Sequence, residues 1–131
     1  MAELNLRIDW SEIDVFGHVN NVAFFKYIQA GRVSFCESIG LSSLNEVGKL
    51  SFIVASTNCS FKLPLEFPGE IKVVTKINWI KNSSFQLDHK ILNNSGDIVA
   101  ESFDILVLYD YFNKSKVVIS DEMKEVMLKE K

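Results

Sequence analysis

The sequence predicts a single α+β domain in which one long helix packs against an antiparallel sheet. A run of apolar residues with helical period begins at Asn21 and continues for about 20 residues. Four or five segments with alternating apolar residues follow it, separated by short turns. A chain of 131 residues can bury one hydrophobic core but not two, and it contains no repeat, linker or low-complexity segment. We therefore expect residues 1–131 to form one domain.

The composition is that of an ordinary globular protein, with 47% hydrophobic and 24% charged residues. A net charge of −3 argues against a nucleic-acid partner, because a duplex repels an acidic surface. The N-terminal segment lacks the apolar core of a signal peptide, and no apolar run approaches the roughly 20 residues that span a bilayer. We expect a cytoplasmic protein without a membrane partner.

One strand and an acidic loop precede the helix. Apolar and polar residues alternate over residues 4–10, which is the period of a half-buried strand. The loop that follows carries Asp14, can turn sharply at Gly17, and ends in Asn20 and Asn21, which are suited to cap a helix. The loop therefore directs a carboxylate towards a helix N-terminus.

The helix is predicted to bury most of its surface. One continuous face is formed by residues at i, i+4, i+7, i+11 and i+15, namely Phe24, Ile28, Gly31, Phe35 and Ile39. The residues that widen this face are Val22, Phe25, Val33 and Cys36. The polar positions are Lys26, Arg32 and Glu37. Gly40 stands where a helix of this length is expected to end.

The rest of the chain reads as sequential strands followed by a short helix. The predicted elements are a connection over 41–49, strands over 50–63, 71–79, 85–91, 98–109 and 117–119, and a closing helix over 121–129 capped by Ser120. A single helix covers only one face of such a sheet, so we expect self-association through an edge or a face.

Carboxylate chemistry is the kind that the residues support best. Asp14 precedes a helix whose free N–H groups and positive dipole end can polarise a carbonyl oxygen, and this combination suits acyl transfer. The alternative is that Asp14 only stabilises the loop or caps the helix. His18 either bonds to Asp14 or to substrate, or packs the loop, and packing is favoured. Glu12 is expected to be structural or to face solvent.

The remaining reactive side chains are assigned structural roles. His89 falls on an apolar strand face and is expected to be a neutral, hydrogen-bonded core or interface histidine. Cys36 and Cys59 are expected to be reduced core residues. Together with His18 they are too scattered for a zinc site, so neither a metal nor a cofactor is expected.

A run of residues in the acidic loop resembles a known family. Asp14-Val-Phe-Gly17-His18-Val-Asn-Asn21, followed by an aromatic-rich helix, is similar to the hot-dog-fold acyl-CoA thioesterases of the 4-hydroxybenzoyl-CoA thioesterase type. The same His-Val-Asn-Asn run occurs in plant-type acyl-ACP thioesterases. Further matches, in the expected order, are Phe61-Lys-Leu-Pro-Leu65, Ser83-Ser-Phe85 and Val99-Ala-Glu101.

The resemblance implies a hot-dog fold, in which a curved antiparallel sheet of five to six strands wraps a long central helix. It also implies a homodimer joined through sheet edges, often assembled into a homotetramer, with active sites at the subunit interface. Asp14 matches the catalytic carboxylate, as a nucleophile or as a base for water, and the backbone N–H near Asn21 would polarise the thioester carbonyl. His18 matches a histidine of the acyl-ACP branch, and Ser84 matches a hydroxyl close to the site.

Two further residues are expected to bind substrate, and two others depart from the family pattern. Phe25 is expected to shape the acyl pocket between subunits. Lys62 belongs to a set of lysines that normally forms a solvated face but that can hold phosphates near a cleft. The family often has aspartate at the position of Glu12 and glutamate at that of Gln29, and the second change puts in doubt any mechanism that needs another acid there.

The sequence thus predicts hydrolysis of acyl-CoA thioesters to free acid and CoA. The alternative is a non-catalytic acyl-CoA-binding or regulatory protein of the same fold. A dehydratase fits less well, because the chain carries no matching histidine-centred hydratase signature.

Overall fold

The computed structural model describes residues 2–41 and 50–129. These residues form seven strands and two α-helices, and the predicted order of one strand, a long helix and then sequential strands is confirmed. The strands are β1 Ala2–Arg7, β2 Leu50–Thr57, β3 Ser60–Phe61, β4 Glu70–Ile80, β5 Ser84–Leu92, β6 Ile98–Asp110 and β7 Ser115–Lys116. The helices are α1 Asn21–Ser38 and α2 Asp121–Leu128. The predicted connection over 41–49 lies outside the described residues except for Leu41, which is buried.

The sheet is antiparallel, and its long strands run in the order β1-β4-β5-β6-β2. The two-residue strands β3 and β7 both pair with β6. Helix α1 packs on one face of this sheet, against β1, β4 and β5. Among the described residues β2 pairs with β6 alone, so its other side is an open edge.

Both ends of α1 have the predicted capping residues. Asn20 is the N-cap, and its side-chain oxygen accepts a hydrogen bond from the Ala23 N–H at 2.8 Å. At the other end Gly40 has a φ of +84°, and the Leu41 N–H donates to the Cys36 carbonyl at 2.8 Å. This pairing closes a Schellman motif, which requires a left-handed residue and therefore favours glycine.

The core forms two apolar clusters along α1. The predicted face of the helix is confirmed, since its five residues are all buried. The prediction that Val22, Phe25 and Val33 widen this face is wrong, because all three are exposed. In a single chain, therefore, α1 buries one stripe and leaves an apolar flank in solvent.

A stripe of polar residues separates the two clusters. The stripe crosses four strands and consists of Thr75 on β4, His89 on β5, Asp104 on β6 and Thr57 on β2. Arg32 of α1 lies over it, and its Nε atom donates to Asp104 Oδ2 at 2.9 Å. The cluster around Phe24 and Ile28 lies on one side of the stripe, and the cluster around Phe35 lies on the other.

Two of the predicted strands end earlier in the structure. The first strand ends at Arg7, because Asp9 caps a 3₁₀ turn over Trp10–Glu12. The segment predicted as one strand over 50–63 is split, since Asn58 binds the Phe103 backbone through its own N–H and its side-chain oxygen.

The prediction of a last strand over 117–119 is wrong. The last strand of the structure, β7, lies earlier in the chain, at Ser115–Lys116. Beyond it the Val117 N–H still donates to the Leu108 carbonyl of β6, but the Ile119 N–H donates to the Asn82 carbonyl beside β5. Residues 117–119 therefore cross from one strand to the next instead of continuing a ladder. The closing helix and its Ser120 cap are confirmed, with the helix ending at Leu128.

Candidate active site

The acidic loop is a small hairpin closed at its base. Ile13 and Val19 form an isolated antiparallel bridge, and the Asp14 N–H donates to the His18 carbonyl at 2.9 Å. At the tip the Gly17 N–H donates to the Asp14 carbonyl at 3.1 Å, and Gly17 has a φ of +83°. The left-handed backbone at Gly17 lets the chain reverse direction within five residues. Helix α1 therefore begins close to where the loop began.

The Asp14 carboxylate is held by the backbone of its own loop. Its Oδ1 atom accepts hydrogen bonds from the Phe16 N–H at 2.9 Å and from the His18 N–H at 3.4 Å. Asp14 is exposed, and within the described part of the chain its Oδ2 atom has no hydrogen-bond or ion-pair partner. The carboxylate is therefore fixed through one oxygen and open to an incoming group through the other.

The N-terminus of α1 follows the loop directly. The Asn20 side chain satisfies the Ala23 N–H, whereas the N–H groups of Asn21 and Val22 have no acceptor among residues 2–41 and 50–129. Unsatisfied N–H groups at a helix start carry partial positive charge and attract anionic or polarised oxygen. The structure thus places an exposed carboxylate and free backbone donors at the two ends of one short loop.

His18 does not bond to the Asp14 carboxylate through its ring. The imidazole is half-exposed, and its Nε2 atom lies 3.7 Å from Glu66 Oε1. The backbone of His18, in contrast, meets Asp14 through both its N–H and its carbonyl. The contact of His18 with the rest of the chain is therefore that of a loop-packing residue, and its role towards substrate stays a prediction.

Glu12 is buried and anchors the loop. Of the two expectations for this residue, the structural one is therefore correct and the solvent-facing one is wrong. Its Oε1 atom accepts from the Asp9 N–H at 2.8 Å and from the Tyr27 hydroxyl at 2.7 Å, and its Oε2 atom accepts from Lys26 Nζ at 3.0 Å. Asp9 and Glu12 form a capping box around the 3₁₀ turn. The Asp-x-x-Glu spacing is the signal in the sequence that identifies this pair.

A second buried charge network lies beneath α1. His89 Nδ1 is 2.7 Å from the Thr75 hydroxyl, and His89 Nε2 is 2.7 Å from Asp104 Oδ2. The neutral imidazole that carries its proton on Nε2 satisfies both contacts. The order hydroxyl, imidazole, carboxylate resembles a catalytic triad, but at most 1% of each of the three residues is exposed. No substrate reaches it, and the prediction of a buried, hydrogen-bonded His89 is confirmed.

Comparison with known proteins identifies the family. Residues 8–127 match the profile of the thioesterase-like superfamily. The chain belongs to the thioesterase-like superfamily. The protein is accordingly a thioester hydrolase by family.

Two relatives of this thioesterase-like chain illustrate the similarity. It is 27% identical over 123 residues to the uncharacterised protein YsmA of Bacillus subtilis, covering 94% of this chain and 82% of that one. It is 32% identical over 91 residues to the acyl-acyl carrier protein thioesterase ATL3 of Arabidopsis thaliana, covering 68% of this chain and 47% of the relative. The chain thus spans about half the length of that plant protein.

The fold of this thioesterase-like chain is the predicted hot-dog fold. A solved gentisyl-coenzyme A thioesterase superimposes with a TM-score of 0.84 at 20% identity, covering 96% of this chain and 99% of that one. At this identity the likeness shows the fold alone. The curved sheet around a central helix is therefore confirmed, with five long strands and two two-residue strands in place of the predicted five to six.

Two predicted substrate-binding residues of this thioesterase-like chain lie on segments that follow or contact the Asp14 loop. Phe25 is exposed in the second turn of α1, and Lys62 is exposed beside Phe61, whose ring packs edge-on against Phe24 at 5.2 Å. The Leu65 carbonyl accepts from the Val19 N–H, which ties this segment to the loop. Phe25 therefore lies one turn into the helix that follows the loop, and Lys62 lies three residues before the Leu65 contact with the loop.

Ser84 lies elsewhere. It begins β5, whereas the loop side of the sheet corresponds to Ile91 and its partner Ala100, seven residues further along the strand. At about 3.3 Å per residue this amounts to roughly 23 Å. A role for Ser84 in this site would require a second copy of the chain.

The other reactive groups of this thioesterase-like chain lie away from the Asp14 loop or are poorly ionised. Cys36 and Cys59 are both free thiols, and Cys36 is buried, as predicted. Burial raises the pKa of the Cys36 thiol to about 12 and also raises that of Cys59. Neither thiol is thus activated as a nucleophile.

In the described part of the chain no helix has the length and apolar character needed to cross a membrane.

Proposed function

We propose that this chain hydrolyses acyl-CoA thioesters, with Asp14 driving the attack and the N-terminus of α1 stabilising the oxyanion. The observation that carries the proposal is the free oxygen of the exposed Asp14 carboxylate, at one end of a loop whose other end leaves two backbone N–H groups unpaired. A thioester carbonyl needs both elements, a nucleophile or base on one side and donors on its oxygen. Family membership supports the reaction class.

Two routes are open to the carboxylate. As a nucleophile, Asp14 adds to the carbonyl carbon, the thiolate of CoA leaves, and water then hydrolyses the mixed anhydride to release the acid. As a base, Asp14 takes a proton from water while the oxygen of that water adds to the carbonyl, and the proton then passes to the departing thiolate. In both routes negative charge develops on the carbonyl oxygen, where a lost donor costs about 3 kcal/mol. A positioned base contributes about a hundredfold to ten-thousandfold.

The substrate assignment rests on side chains near the loop and on the relatives. Lys62 offers an exposed cation for the phosphates of CoA, and Phe25 offers an apolar surface for the acyl group. One relative is named as acting on acyl carrier protein thioesters, and a protein of the same fold is named as acting on gentisyl-coenzyme A. CoA is favoured because a small, polyphosphorylated carrier needs only a few surface cations.

Assembly into a homodimer, or a homotetramer built from it, belongs to the same proposal. The open edge of β2 offers unpaired backbone groups to another strand. Around the loop several large apolar residues are exposed, namely Trp10, Val15, Phe16, Val22, Phe61 and Leu63. Such a concentration of exposed apolar side chains is typical of a surface that another protein covers. A partner chain would also exclude water from the Asp14 carboxylate.

The substrate panel that tests this proposal uses short, long and aromatic acyl-CoAs together with an acyl-ACP, with released thiol measured by Ellman's reagent. We expect release from at least one acyl-CoA, and faster release from CoA than from acyl carrier protein thioesters. Tight binding of acyl-CoA without release would instead identify a binding or regulatory protein. Faster release from acyl-ACP would retain hydrolysis and overturn the CoA assignment.

A further inference from the structure

We propose that Glu12 is the positioning residue of the candidate active site, acting as a buried anionic clamp that fixes the Asp14 loop relative to the N-terminus of α1. This inference rests on the proposed function for its kinetic part. Glu12 touches no substrate in this account. It acts through the loop that carries Asp14.

The contacts of Glu12 join the segment that enters the loop, the residue that ends the loop and the first turns of α1. Its carboxylate receives the Asp9 N–H on the incoming side, and the Tyr27 hydroxyl and Lys26 ammonium on the first turns of α1. Its backbone carbonyl receives both the Asn20 N–H at 2.9 Å and the Asn20 side-chain amide at 3.0 Å. Asn20 is the N-cap of α1, so one residue holds the start of the loop, its end and the helix that follows.

The position of Asp14 follows from this geometry. Residues 13 to 19 leave Glu12 and return to Asn20, with the Ile13–Val19 bridge across the base. Asp14 is the second residue after Glu12, and Asn21 is the first after Asn20. The hydrogen bonds of Glu12 to Asn20 and Tyr27 therefore fix the distance between the Asp14 carboxylate and the free N–H groups of α1.

The surroundings of Glu12 favour the ionised form of its carboxylate. The Glu12 side chain is 7% exposed, and three donors converge on its two oxygens. Burial raises the pKa of Glu12, but the hydrogen bonds from Asp9, Tyr27 and Lys26 outweigh this effect and the pKa is lowered. Burial and the Glu12 hydrogen bond raise the pKa of Tyr27, so its hydroxyl remains a donor. Charge-assisted hydrogen bonds of this kind are the strong ones.

The test uses two conservative variants, Glu12→Gln and Tyr27→Phe, in the full chain. Glu12→Gln keeps an acceptor for Asp9 and Tyr27 but removes the charge that Lys26 meets, whereas Tyr27→Phe keeps the buried ring and removes one donor. We expect kcat to fall about tenfold or more with KM within about threefold, since displacement of a catalytic group by an ångström costs up to about a hundredfold. We also expect the Asp14 and Asn20 amides to exchange hydrogen faster than in wild type.

Ile119→Ala is the matched control, because Ile119 is buried in the cluster on the far side of the polar stripe. It should lower Tm while leaving kcat and the exchange of the two loop amides unchanged. If Glu12→Gln behaves like this control, the clamp is only a stability element and the inference is overturned. If wild type and Asp14→Asn release CoA equally, the proposed function fails, whereas amide exchange still decides whether Glu12 fixes the loop.

Discussion

The two most informative aspartates of this protein occupy opposite environments. Asp14 is exposed and held by two backbone N–H groups of its own loop. Asp104 is fully buried and receives hydrogen bonds from His89, Arg32 and Thr57. An exposed carboxylate with a free oxygen can meet substrate, whereas a buried one whose oxygens are saturated by donors can only stabilise the fold. These two environments are the reason for proposing chemistry at Asp14 and a structural role for Asp104.

Asp104 makes stability depend on pH in a defined window. Burial raises its pKa, but hydrogen bonds from His89, Arg32 and Thr57 more than offset this and hold the pKa at about 2, below the ordinary 3.8. The folded state therefore gains stability from the ionised form above pH 4, and this contribution is lost as the pH falls from 4 towards 2. We would measure thermal unfolding of wild type and Asp104→Asn across pH 2–7. The difference in Tm between the two proteins should shrink as the pH falls from 4 towards 2.

At neutral pH Asp104→Asn should destabilise the protein by about 3–5 kcal/mol, because it leaves the Arg32 guanidinium buried without its anion. Asp97→Asn, at an exposed turn, serves as the control and should change Tm little. A Tm difference between wild type and Asp104→Asn that stays constant down to pH 2 would contradict the assignment of Asp104 as the ionised partner.

Sequence patterns predict some of these residue-scale features and miss others. The position of Asp14 before a capped helix is a local pattern and was predictable. Arg32 falls on the buried face of α1, four residues after Ile28, yet a charged residue is normally assigned to solvent. Its partner Asp104 is 72 residues away in the chain. Periodicity along one element cannot reveal a pair that only the folded register brings together.

Helix α1 approaches the sheet closely at Gly31. A Cβ atom built at this position would lie 2.6 Å from Val73 Cγ1 and 3.2 Å from the Thr75 hydroxyl. Gly31 thus lies directly over β4, at the level where the polar stripe divides the core. The close approach explains why the predicted apolar face contains a glycine in the middle of a helix.

Gly31→Ala should therefore destabilise the protein even though alanine is the better helix former by about 1 kcal/mol. Overpacking against the stiff Val73 side chain costs about 1–3 kcal/mol, so we expect a net loss of free energy of unfolding in urea titration. The double variant Gly31→Ala with Val73→Ala should lose less than the sum of the two single variants. A single variant more stable than wild type would show that the helix is not seated as closely as described.

The whole molecule leaves a strand edge and an apolar surface uncovered. Among residues 2–41 and 50–129 β2 pairs on one side only, and its residues Ala55, Ser56 and Thr57 are exposed beside a bulge in the register with β6. The exposed apolar residues around the Asp14 loop lie on the 3₁₀ turn, the loop, α1, β3 and the segment after β3. Both features are those of a chain that associates with a second copy.

We expect the protein to sediment as a dimer or tetramer, and Ala55→Lys to shift it towards monomer. A lysine on an open strand edge opposes pairing with another strand because its charge would be desolvated. Ser95→Lys, at the exposed turn after β5, is the matched control and should leave the sedimentation coefficient unchanged. A wild-type protein that sediments as a monomer at micromolar concentration would contradict the proposed assembly.

At this scale the sequence predicts the architecture well and the site only in part. Alternating strands, turn residues and the capped helix are local signals, and they give the hot-dog order of elements. The split between β2 and β3 depends on Asn58 reaching across to Phe103, a contact between segments 45 residues apart. The clamp at Glu12 depends on the Tyr27 hydroxyl. The helical pattern around Tyr27 predicts only a buried aromatic ring and does not reveal this hydrogen bond.

The most direct test of the central claim is the turnover of Asp14→Asn on the acyl-CoA that wild type hydrolyses fastest. Asparagine preserves the size of the side chain and an acceptor for the Phe16 and His18 N–H groups, but it can serve neither as the nucleophile nor as the base. We predict that kcat falls at least about a hundredfold while Tm and the affinity for a non-hydrolysable acyl-CoA thioether remain near wild type. A kcat within about threefold of wild type would contradict the account.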